Sequence, residues 1–81
     1  LGCYTESGAT TPSRTLYDYH YINYSNMSPE ICASACAGYS YFGVEFSGEC
    51  YCGNQINSAS YQVPDSQCAM PCGGNPNEFC G

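Results

Sequence analysis

A single cation, Arg14, stands against seven carboxylates, giving a net charge of −6. So little positive charge excludes nucleic acid as a partner and argues against membrane contact by this segment, because phosphate backbones and anionic headgroups are repelled. Tryptophan is absent, phenylalanine occurs three times and large aliphatics are sparse. Apolar burial alone is therefore thin beside the conformational entropy of ordering such a chain, on the order of 100 kcal/mol. No apolar run approaches a membrane span, and the start at Leu1 shows neither a charged n-region nor an apolar h-region, so any signal peptide is expected to have been removed. A chain of 81 residues leaves room for one domain, 1–81, and it carries no internal repeat.

What the chain has instead is eight cysteines. An even number in so short a sequence is the composition of an oxidised extracellular domain, secreted or displayed at the cell surface, stapled by four disulfides. The local signals are those of an α+β fold. LGCYTE reads as a first strand and SGATTPS as a loop. Ser28 as N-cap, Pro29 at the first helical position, Glu30 in the first turn and Gly38 near the end predict a helix over 29–37. YFGVEF and ECYCG read as strands joined by a two-residue link, Ser47-Gly48. Beyond Gly53 the chain is rich in loops.

Cys32 and Cys36 share one face of that helix, and Cys50 and Cys52 share one face of the strand. A helix laid on the strand closes two neighbouring bridges, either 32 to 50 with 36 to 52 or the crossed pair. Pair spacings of one and three, with a single histidine, do not suit zinc, and no Cys-x-x-Cys is present for redox work. No metal and no cofactor are expected.

Catalysis is not expected either. With a two-residue turn, 46 opposes 49 and 45 opposes 50, so Glu45 falls on the disulfide face and Glu49 on the other, and the two carboxylates do not converge for glycoside hydrolysis. His20 has no free thiol to activate. Glu45, near Gly43 whose missing side chain would leave space under the helix, reads as a structural carboxylate paired with Arg14. Phe42, Val44 and Phe46 then take the opposite face as core.

Nine tyrosines remain. Tyr4 and Tyr51, beside cysteines, read as core filler. Tyr17, Tyr19 and Tyr21 recur at period two, on one face of an extended chain about 6.6 Å apart; either they too fill the core, or Leu16 and Ile22 on the alternate face are the buried residues and the three rings are left to bind. A tyrosine ring offers a flat apolar surface to the C–H side of a pyranose and a hydroxyl to the sugar's own hydroxyls. Tyr24, Tyr41 and Tyr61 are further candidates. Neutral amides, Asn54 first, with Gln55, Asn57, Asn75 and Asn77, suit an uncharged polyol, although asparagines also shape turns. Asn23-Tyr24-Ser25 and Asn26-Met27-Ser28 are candidate N-glycosylation sites, the second followed by Pro29.

GCYTE, Arg14-x-Leu16, Ser28-x-x-x-Cys32-x-x-x-Cys36, YFGVEFSGECYCGN and Cys68-Ala-Met-Pro-Cys72 ending in Phe-Cys80-Gly81 together resemble a WSC domain over nearly the whole chain. The family occurs in fungal cell-wall stress sensors, secreted fungal oxidases and glucanases, and some animal surface receptors. The resemblance implies a PAN/apple-like fold, an antiparallel sheet cradling one main helix, with Cys3 joined to Cys68, Cys32 to Cys50, Cys36 to Cys52 and Cys72 to Cys80. It also implies a non-catalytic module binding a cell-wall polysaccharide of β-glucan, chitin or xylan type. The alternative is a structural or protein-interaction module of a stress sensor, associating with itself or with another surface protein. The sequence departs from the family in its tyrosine-rich stretch 17–24 and in stopping at Gly81, where a closing strand is usual.

Overall fold

A computed structural model of the chain describes residues 2–5, 16 and 18–81. Arg14 and Tyr17 lie outside the described residues, and with them the expected Arg14–Glu45 pair. Among these residues five short strands and one helix follow one another: β1 (Cys3–Tyr4), β2 (Tyr19–Ile22), α1 (Pro29–Ala35), β3 (Tyr41–Glu45), β4 (Glu49–Gly53) and β5 (Gln62–Val63), then a 3-10 turn at Asp65–Gln67. β4 is the middle strand of an antiparallel sheet ordered β2-β4-β3, and β1 pairs antiparallel with β5 in a second, two-stranded sheet. The outcome is a small α+β domain with four disulfides, Cys3–Cys68, Cys32–Cys50, Cys36–Cys52 and Cys72–Cys80. That is the uncrossed pairing implied by the family resemblance.

The helix starts where its capping residues dictate, with Ser28 Oγ accepting from the Ile31 N–H at 3.2 Å and Pro29 in the first turn. It ends earlier than expected. Cys36 is the C-cap, and Gly38 turns the chain at φ +97° two residues beyond that cap, a conformation that glycine adopts without a Cβ clash. Seven residues are too few to hold a helix by themselves, so packing on β3 and β4 and two cystines hold it there. Sulfur supplies most of the core: Met27 and six half-cystines (32, 36, 50, 52, 72 and 80) form the buried cluster, with Ala35 and Val44 against it.

The β3–β4 hairpin corrects four expectations. The link between the strands is not two residues but three, 46–48, with Phe46 and Ser47 both at positive φ, 50° and 68°. One extra loop residue shifts the pairing by one, so Glu45 opposes Glu49, Val44 opposes Cys50 and Phe42 opposes Cys52. Because side-chain faces alternate along a strand, the shift exchanges the faces of every β3 residue. Glu45 therefore lies on the face away from the disulfides, alongside Glu49, and the two carboxylates that were expected to diverge are cross-strand neighbours. Phe42 and Val44 instead belong to the disulfide face. Val44 is packed there, but Phe42 is 45% exposed and Phe46, out in the loop, 63% exposed. The room beside Gly43 is not under the helix; Leu16 Cδ1 occupies it, 3.4 Å from where a Cβ would stand.

Candidate functional site

On the helix side of the sheet, β2 is an edge strand. Tyr19 and Tyr21 pair with Cys52 and Cys50, which sets both rings on the disulfide face beside α1. Helix and cystines cover the centre of that face and leave the β2 margin open, so Tyr19 and Tyr21 remain 46% and 36% exposed. Leu16 is buried as the alternation requires, whereas Ile22 is exposed.

A third ring joins them that periodicity did not single out. Tyr39 follows the Gly38 turn at the end of the helix and lies almost parallel to Tyr19, with ring centroids 6.4 Å apart and planes 7° from each other, an offset-stacked arrangement. It is 36% exposed. The only local signal was an aromatic directly after a helix-ending glycine, a position that commonly packs back on its surroundings; the stacking itself is a tertiary contact. Hydrogen bonds tie the two segments together. Asn54 Oδ1 accepts from the Ser40 N–H at 3.0 Å, the Asn54 N–H donates to Asp18 Oδ2 at 3.1 Å, and the Asp18 N–H donates to the Cys52 carbonyl at 2.9 Å. Asn54 thus links the residue after Tyr39 to the residue before Tyr19. Its side-chain oxygen is engaged within the fold.

The other candidate tyrosines lie elsewhere. Tyr24 is on the far side of the sheet, edge-on to Phe46 at 6.2 Å. Its hydroxyl donates to Glu49 Oε2 at 2.5 Å, and the Tyr51 hydroxyl donates to Oε1 of the same carboxylate at 2.9 Å. The hydrogen bond to Glu49 foremost, with desolvation and the carboxylate's charge, raises the Tyr24 pKa above the usual tyrosine value. Tyr51 is buried, with His20 tilted against it at 6.0 Å. Tyr41 is half-buried on this same face, opposite Gly53. Tyr4 is half-buried in β1, and Tyr61 is exposed beside the small sheet, its carbonyl accepting from Thr5. The structure thus brings Tyr19 and Tyr21 together with Tyr39, and leaves Tyr24, Tyr41 and Tyr61 apart from them.

Asn57 Oδ1 accepts from the Ala59 N–H and Asn75 Oδ1 from the Asn77 N–H, so both shape loops. Asn23 bridges toward the tyrosines: its Nδ2 donates to the Tyr21 hydroxyl at 3.3 Å. Asn26 is exposed on the turn that follows. The sulfurs of Cys32, Cys36 and Cys50 lie within 4.8 Å of one another, but all three are spent in disulfides and offer no thiolate to an ion. Among the described residues no helix is long and apolar enough to cross a membrane.

A family model described as the WSC domain matches residues 1–81. A WSC domain-containing protein of Arthroderma benhamiae is 44% identical over 80 residues, which take in 99% of this chain and 11% of that protein. Xylosyltransferases of Drosophila pseudoobscura and Caenorhabditis elegans are each 37% identical, across the whole chain and over 9% and 10% of their own lengths respectively. The chain thus corresponds to about a tenth of the length of these much larger relatives. With a full-length family match, and with the helix fastened by two cystines to a strand of the sheet, the chain belongs to the WSC domain family.

Proposed function

We propose that the domain is a non-catalytic carbohydrate-binding module, extracellular, that takes a neutral cell-wall polysaccharide on Tyr19, Tyr21 and Tyr39. The observation that carries this reading is the pair of near-parallel, partly exposed rings of Tyr19 and Tyr39 with Tyr21 two residues along the same strand face. Successive pyranose rings of an extended glycan meet such a surface with their C–H faces, and the phenolic hydroxyls are left for the sugar's own. Net charge favours neutral glycans over uronates or sulfated chains, since the sequence has one cation in all. That relatives named xylosyltransferases contain a matching segment fits a role beside sugar chemistry.

The β3–β4 register bears on catalysis. Glu45 and Glu49 are neighbours, yet both Glu49 oxygens already accept tyrosine hydroxyls. A carboxylate held in that way is a structural acceptor, poorly placed to attack an anomeric carbon or protonate a leaving group.

Each ring covered by a sugar removes apolar area worth roughly 1–1.5 kcal/mol. Three such contacts, less ordering costs, give roughly millimolar to high-micromolar affinity for a single chain, with avidity on an insoluble wall. Retention on a panel of insoluble β-glucan, chitin and xylan tests this. Tyr19→Ala, Tyr21→Ala and Tyr39→Ala should each weaken retention several-fold while the fold is kept. Equal retention by a folded triple variant would discard the surface.

A protein-interaction module is the second reading, favoured by the exposed Tyr24–Phe46 pair on the far side of the sheet. It predicts indifference to every polysaccharide in the panel and loss of association on Phe46→Ala.

A further inference from the structure

Asn23 closes the tyrosine-bearing strand with a side chain that faces two ways. Oδ1 accepts from the backbone N–H groups of Ser25 and Asn26, both at 3.2 Å, fixing the turn. Nδ2, the atom to which an N-linked glycan is attached, is directed at the Tyr21 hydroxyl. The second sequon is less available. Met27 at its centre is fully buried, the Ser28 hydroxyl caps the helix, and Pro29 follows directly. Around Asn23, by contrast, Tyr24 and Ser25 are both exposed.

We propose that Asn23 is an N-glycan acceptor and that its glycan lies back over Tyr21, Tyr19 and Tyr39, filling from within the chain the surface that otherwise takes a polysaccharide. The acceptor half stands on the Asn23-Tyr24-Ser25 sequon and on an exposed turn that can carry a linked sugar once the domain has folded; the covering half rests on the carbohydrate-binding reading. In the transfer, Nδ2 of the nascent chain attacks the anomeric carbon of a lipid-pyrophosphate-linked oligosaccharide. The C1–O bond to pyrophosphate breaks with its electron pair, a C1–N bond forms, and the amide nitrogen loses one proton. The N–H that remains can still donate to Tyr21. Tethering decides the competition, because a linked sugar is held at an effective concentration on the order of millimolar, comparable with the weak affinity expected of such a surface.

The test uses the chain secreted from a glycosylating eukaryotic host beside its Ser25→Ala variant, which lacks the first sequon and keeps every tyrosine. Peptide N-glycosidase in heavy-oxygen water should leave a labelled aspartate at position 23. Label at position 26 alone, or no glycan at all, overturns the acceptor assignment. Nitration with tetranitromethane should be several-fold slower at Tyr19 and Tyr21 in the glycosylated chain than in Ser25→Ala, with Tyr61 as an unaffected control. Retention on the best-bound polysaccharide should be several-fold lower in the glycosylated chain. Equal nitration of the two forms overturns the covering. If neither form is retained on any polysaccharide, the carbohydrate-binding reading has failed, and the nitration rates still decide whether the glycan covers the tyrosines.

Discussion

Tyr24 is held by its backbone as much as by its ring. A Cβ on Gly48 would stand 2.4 Å from the Tyr24 Cα, and one on Gly73 would stand 1.8 Å from the Tyr24 carbonyl oxygen, so two glycines let the 46–48 loop and the C-terminal segment close on the same residue. Gly73→Ala should cost about 1–3 kcal/mol, as overpacking does, seen as a lower denaturation midpoint. The Tyr24 ring gives a second prediction. Its raised pKa, caused first by the hydrogen bond to Glu49, should make one tyrosine ionise later than the rest in an ultraviolet titration, and Glu49→Gln should return it toward the others. A raised phenol pKa contributes stability below the ordinary tyrosine range and loses it as pH climbs through the raised value. Asn54 is likewise a structural residue. It was attractive in the sequence as a sugar ligand, but its oxygen accepts from Ser40; Asn54→Ala should cost about 1 kcal/mol and weaken polysaccharide retention by loosening Tyr39. Nothing in the amide's chemistry told these roles apart, because a turn-shaping asparagine and a polyol-binding one look alike until the neighbouring N–H is located.

Among the elements, the helix was the most legible, since Ser28, Pro29 and Glu30 specify its start by local chemistry alone. Ser28→Ala should cost about 1 kcal/mol, measurable as a shift in thermal midpoint. The hairpin was the least legible. Its register turned on Phe46 and Ser47 taking positive φ, which neither residue type favours, and the C-terminal segment that docks there is distant in sequence: the Ser47 N–H donates to the Cys80 carbonyl at 2.9 Å and the Gly73 N–H to the Ser47 carbonyl at 3.0 Å. One such tertiary constraint moved Glu45 to the opposite face. Helix and C-terminal loop also meet through like charges. Desolvation first, then the hydrogen bond and charge of Glu30, raise the Glu78 pKa, while Asn75, donating to Glu78 Oε1 at 3.0 Å, opposes the shift. A carboxyl so raised favours the folded state below the ordinary carboxylate range and ceases to do so as pH rises through the raised value. Glu78→Gln should therefore raise the melting temperature at neutral pH and leave it unchanged in acid, where wild type and variant are both uncharged at this position.

Across the whole molecule, cystines stand in for the missing aliphatics. The chain's poverty in large apolar side chains and its wealth of cysteine pointed to this from composition, and the buried cluster of Met27 and six half-cystines is its physical form. Replacing the Cys36–Cys52 pair by alanines should cost about 2–5 kcal/mol, and full reduction should abolish the cooperative thermal transition. The proposed binding surface was only half legible for the same reason that the disulfides succeed. Period two marked Tyr19 and Tyr21 locally, whereas Tyr39 reaches them only once the helix has been fastened over the sheet. The central claim is that these three rings form one sugar-binding surface. Chemical-shift mapping on the oxidised domain, with a soluble neutral β-linked oligosaccharide titrated into the millimolar range, tests it most directly. Saturable shifts concentrated on the aromatic and amide signals of Tyr19, Tyr21 and Tyr39 are the predicted result; shifts confined to Tyr24, Tyr41, Tyr51 or Tyr61, or none at saturating sugar, would contradict it.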